Sequence, residues 1–142
     1  RRTVDPMRTQ HTLTLSDARR IIDAGIAASD RIGSPSNIAV ADAGGNLIAH
    51  VRMDGAQLGS ISHSIDKAHT SVFFRSPTGD LSEDSRPGHQ FWGMALSGGG
   101  RVLVFAGGVP LIVDGEVVGA VGVSGGSREQ DTGIAEDAAA AL

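Results

Sequence analysis

The stretch from Ala106 to Asp131 constrains this chain most: two apolar runs around Asp114-Gly115, then a glycine-rich turn that opens a helix. Asp-Gly between apolar runs predicts a tight hairpin, because both residues tolerate the positive φ of a type I′ turn. The second run, Val117 to Val123, carries glycine at Gly119 and Gly122. Such gaps let a helix, another backbone or a flat ligand approach a sheet closely. Ser124-Gly125-Gly126-Ser127 then offers backbone amides at a helix start, where anions bind readily.

The other elements follow from periodicity and punctuation. Thr14 and Asp17 form a capping-box pair ahead of a helical stripe through Ala18, Ile21, Ile22, Gly25 and Ile26, with Gly33 as the stop. Asn37 to Ala43 and Leu47 to Met53 read as a hairpin. Ile61, Ile65, Ala68 and Val72 recur at helical spacing, which predicts an amphipathic helix over Ser60 to Phe74 with those four on its core face. Thr78 to Leu96 is polar and reads as a long loop with one or two helical turns, and Arg101 to Phe105 as a further strand. Ser127 and Gln130 cap the last helix. The order α-β-β-α-loop-β-β-β-α predicts an α+β domain with one mainly antiparallel five-stranded sheet covered by helices.

One domain over residues 13–142 is expected, with residues 1–12 a mobile arm. Met7 is a candidate natural start, with Arg1 to Pro6 a leader remnant. There is no cysteine, which removes disulfides, thiolate catalysis and Cys-ligated metal. The net charge of −4 argues against a nucleic-acid partner, and no apolar run is long enough to predict a membrane span. A cytoplasmic location is the expectation, with secretion by a signal upstream of Arg1 as the alternative.

Val40 to Ala56, Asp66-Lys67-Ala68-His69-Thr70, Gly107-Gly108-Val109-Pro110 and Gly122-Val123-Ser124-Gly125-Gly126 followed by Glu129-Gln130-Asp131 together resemble, in order, the motifs of the GlcG/HbpS-like family. That family is often called the haem-degrading domain and includes the C-terminal domain of PduO-type proteins. The resemblance runs from about Leu13 to Leu142. It implies a profilin-like α/β/α fold and homo-oligomers, from dimer to octamer. Haem is the cofactor it suggests. Members serve several functions, so the fold does not choose among them.

Candidate residues fall into three groups. His63, Lys67 and Thr70 share a helix face away from the expected core face. There His63 is a candidate metal or haem-iron ligand, Lys67 a carboxylate partner or acid/base, and a solvated face or subunit contact the plainer alternative. His69 lies about 120° around the helix from His63, so the two do not suit one metal. Next, Arg86 to Gly93 is the one segment that pairs aromatics with a histidine. Its His89 is a candidate axial ligand or acid/base, Trp92 a stacking surface, and Phe91 a plug into the core. Last, Ser124, Gly125 and Gly126 could hold an anionic group, with Asp131 the best-placed acid/base if that loop lines a pocket. Gly107 and Gly108 join the ligand-binding set through the resemblance, and Arg101 is an alternative to Lys67 for haem propionates.

Three functions compete on this reading. The first is a small-molecule-binding domain whose ligand is haem or a related tetrapyrrole. The second is an enzyme acting on a small carboxylated catabolic intermediate, of the enamine or imine hydrolysis or isomerisation type, with Lys67, Asp131 or His89 moving protons. The third is a non-catalytic oligomeric sensor.

Overall fold

A computed structural model of the chain describes residues 6–142, so the leader expectation lies mostly outside the described residues. Helix α1 spans Leu15–Ile32, opened by the Thr14–Asp17 capping box and stopped at Gly33 (φ 64°). Strands β1 (Asn37–Asp42) and β2 (Leu47–Arg52) follow, then helix α2 (Ser60–Phe74) and the short helix α3 (Thr78–Asp84). Two 3-10 turns lead to strands β3 (Gly108–Val113) and β4 (Glu116–Ser124), and helix α4 (Arg128–Ala139) closes the fold. Residues 6–12 are exposed coil, anchored where His11 donates its amide to Glu116 and the Thr12 hydroxyl accepts from Ala43.

The sheet has four strands in the order β2-β1-β4-β3, every neighbouring pair antiparallel. The expected five-stranded sheet is therefore corrected to four, because Arg101 to Phe105 forms no strand. Its polar backbone is tied down by side chains rather than by a ladder. The Thr70 hydroxyl donates to the Arg101 carbonyl at 3.3 Å and accepts from the Leu103 amide at 3.0 Å, and Thr78 donates to the Phe105 carbonyl at 2.6 Å. The hairpin at Asp114 (φ 50°) and Gly115 (φ 78°) has the two positive φ angles that Asp-Gly predicts.

The two faces of the sheet carry different side chains. Ile38, Val40, Val121 and Val123 join Ile21, Ile22 and Ile134 in one core beneath α1 and α4. On the other face Ala39, Ala41 and Ala120 meet Ala68 and Val72 of α2. Helices thus cover both faces of the sheet, giving three layers.

The small second face decides how α2 sits. A Cβ at Gly122 would run into the Ser64 carbonyl oxygen and lie 2.7 Å from the Ala68 amide nitrogen. Helix backbone therefore rests almost directly on sheet backbone. Only small side chains fit between them, so Ser60, Ser64, Ala68 and Ser71 are buried while Ile61 and Ile65 move to half-buried flanks. This corrects the expected core face of α2 in part: Ala68 and Val72 are buried as expected, whereas Ile61 and Ile65 are only half-buried. Lys67 and Thr70, expected to face away from the core, are buried as well.

Candidate functional site

The end of β4 borders a cleft of about 340 Å³. Its walls come from α2, from the segment Val104–Ala106 and from the turn between β4 and α4. At its floor Lys67 and Asp131 form an ion pair, Nζ to Oδ2 3.3 Å, with side chains only 2% and 6% exposed. Lys67 also donates to the Val123 carbonyl at 2.8 Å, which ties α2 to the end of β4. The other Asp131 oxygen accepts from the Gly126 amide at 2.9 Å.

The first turn of α4 is built around this pair. Ser127 caps the helix by accepting from Gln130, and the Gln130 side chain accepts from the Ser127 amide at 2.9 Å. The Gly126 and Ser127 amides, offered to an anion by the sequence, are thus consumed by Asp131 and Gln130. Gly107, with φ at 124°, backs the pair: a Cβ there would collide with the Val123 carbonyl and approach Lys67 Nζ to 3.0 Å.

Burial pushes the Lys67 amine below the usual lysine range, and Asp131 opposes that shift only in part. The folded chain therefore holds this proton less tightly than the unfolded chain does. From the lowered folded value up to about 10.4 the unfolded state binds more protons, so the stability contributed by Lys67 rises with pH. In urea melts, the advantage of the wild type over Lys67→Met is expected to grow as the pH rises toward about 10.4. An advantage independent of pH would contradict the lowered value.

The candidate residues divide by position. His63, Lys67, Ser124, Gly125, Gly126 and Asp131 line the one cleft. His63 is half-buried at its wall and meets Phe105 edge-on, ring centroids 5.6 Å apart. Gly108 is buried, with its amide donating to Thr78, and Thr70 bonds Arg101 and Leu103 just ahead of the wall segment without lining the cleft itself. Arg101 is exposed, paired with Asp66 at 3.2 Å, and does not line the cleft. His89 and Trp92 lie on the exposed loop, also outside the cleft lining, and Phe91 is 45% exposed rather than plugged into the core. His69 bonds the Gly45 carbonyl at 3.0 Å and stacks on Phe73. Among the described residues no three His, Asp or Glu side chains gather in a metal-binding group.

Sequence reasoning missed Ser60, Phe105 and Arg128 as parts of this lining. The signal for the first was present as small polar residues at positions 60, 64 and 71, a stripe that predicts close helix packing rather than a solvated face. A second hollow of about 430 Å³ lies at the opposite end of the sheet, between the two hairpin turns, residues 8–10 and the end of α2. Its lining holds no buried pair of opposite charges.

A family model described as haem degrading protein HbpS-like matches residues 13–140. The chain belongs to the HbpS-like family. It is 39% identical over 127 residues to an uncharacterized 15.0 kDa protein from the dhaT-dhaS intergenic region of Citrobacter freundii, covering 89% of each chain. The crystal structure of Klebsiella pneumoniae protein ORFY superposes with a TM-score of 0.95 at 31% identity, covering 99% of this chain and 97% of that one. A crystal structure of a PduOC:heme complex superposes with a TM-score of 0.88 at 34% identity, covering 92% and 95%. The α+β fold of this HbpS-like chain is that of these neighbours. No helix among its described residues is long and apolar enough to cross a membrane.

Proposed function

We propose that this domain binds haem or a related tetrapyrrole at the cleft on the open side of α2. The observation that carries the reading is His63, the one histidine in the cleft lining, standing beside Phe105 on a lining that also holds Arg128. Support comes from the haem-bound relative of similar fold. The residues present fit such a group: an imidazole for iron, Val104 and Phe105 for the macrocycle, and Arg128 for a carboxylate. When bound, haem would supply an iron centre whose behaviour the axial ligand and the surrounding polarity set.

The test is a haemin titration of the purified protein. A saturable Soret shift is expected, lost in His63→Ala and unchanged in His89→Ala. No shift in the wild type, or a shift that survives His63→Ala, overturns the assignment. Self-association belongs to the same reading. Phe73, Phe74, Ile112 and Val113 leave apolar surface exposed, and light scattering on the same sample reads the oligomer from dimer to octamer.

A second reading is favoured by the Lys67–Asp131 pair, which a haem-binding role does not use. A charge pair buried this deeply is costly to place without added bonds, and it sits on the floor of a cleft. It suits an enzyme that moves protons on a small carboxylated intermediate, with Lys67 and Asp131 as the acid/base couple.

A further inference from the structure

Lys67 is the sole lysine in the 142 residues; every other fixed cation in the chain is arginine. The difference matters chemically. A guanidinium stays protonated in a protein, whereas burial makes a lysine amine give up its proton more readily. This chain places its one lysine amine in an enclosed position, the side chain 2% exposed, with a carboxylate at 3.3 Å.

The local bonding leaves that group one unused hydrogen-bond donor. An ammonium has three donors, and Lys67 uses two, on Val123 and Asp131. The nitrogen belongs to the cleft floor, facing a space of about 340 Å³ that suits a small ligand. Arg128 lies on the same lining and provides a cation for a carboxylate.

From this arrangement we infer that Lys67 is an amine nucleophile that condenses with the keto group of a small 2-oxo acid, with Asp131 carrying the protons. The inference rests on the second reading above and names its substrate class. Asp131 takes a proton from the Lys67 ammonium, and the freed lone pair forms a C–N bond to the carbonyl carbon. The carbonyl π pair moves to oxygen, which receives the proton from Asp131. Asp131 then takes a second proton from nitrogen and returns it to the hydroxyl as the C–O bond breaks. One water leaves, and the nitrogen lone pair closes a protonated imine. The net change is ammonium plus ketone to iminium plus water, with Asp131 again a carboxylate. Loss of a proton from the carbon beside the imine gives an enamine, the route to isomerisation or hydrolysis.

The probe is pyruvate with the wild-type protein, treated with sodium borohydride and analysed by intact mass and peptide mapping. One reduced adduct per chain is expected, mapped to Lys67 and lost in Lys67→Arg. Because the adduct is mapped on the wild-type chain, the result does not depend on how a variant folds. In parallel, proton NMR in D2O follows exchange of the pyruvate methyl group. Exchange without an adduct overturns the covalent step and leaves proton transfer by the pair standing. Neither exchange nor adduct overturns both. An adduct confined to the chain's terminal amine also overturns the inference.

Discussion

Asp131→Ala is expected to lower stability by about 3–5 kcal/mol, the range for removing one partner of a buried ion pair. For a chain of this size that is a fall in Tm of roughly 10–15 °C. Two physical losses add together. The Lys67 ammonium keeps its burial but loses its counter-charge, and the Gly126 amide loses its acceptor. Lys67→Met with Asp131→Leu is expected to recover most of the loss, because an apolar pair of similar volume is often as stable as a buried ion pair. Thermal melts of the single and double variants check this. A cost below about 1 kcal/mol for Asp131→Ala, the worth of an exposed pair, would mean that water reaches the pair freely.

Gly122→Ala has the second large expected effect, about 3 kcal/mol or more, at the upper end for overpacking. Most added methyl groups are absorbed by a side chain turning aside. Here the atoms in the way are the Ser64 carbonyl and the Ala68 amide, both in the backbone of α2. Relief requires lifting the helix from the sheet, and Lys67 goes with it. Gly133→Ala is the control. Its Cβ would meet nothing within 4 Å, so a helix-interior glycine is exchanged for alanine at a gain of about 0.5–1 kcal/mol. Denaturant midpoints separate the two cases. If Gly122→Ala melts like the wild type, the close seating of α2 is wrong.

What was legible in the sequence was local. Both capping boxes, the Gly33 stop and the Asp114-Gly115 turn depend on residues within four positions of one another, and each forms as read. Arg101 to Phe105 misled because a short apolar run becomes a strand only where a partner offers hydrogen bonds, and Thr70 and Thr78 claim that backbone first. The face of α2 misled for a related reason. Periodicity ranks residues by hydrophobicity, but the facing Ala39, Ala41, Ala120 and Gly122 select by size, so serines are buried ahead of isoleucines. Lys67 and Asp131 were each legible as candidates. Their pairing was not, since 64 positions separate them and the bend that joins them belongs to the whole fold. His89 and Trp92 drew attention by residue type alone, and type carries no information about which side of a loop meets a cleft.

Asp131 has two oxygens and two obligations: one holds Lys67, the other holds the amide of Gly126. Charge at the cleft floor and curvature of the adjoining turn are therefore set by a single side chain. Whatever takes the carboxylate's negative charge, or draws Lys67 away from it, also changes the grip on residues 125–127. The turn is then a pointer fixed to the same axle as the ion pair, and the occupancy of a buried site becomes readable from the outside of the molecule.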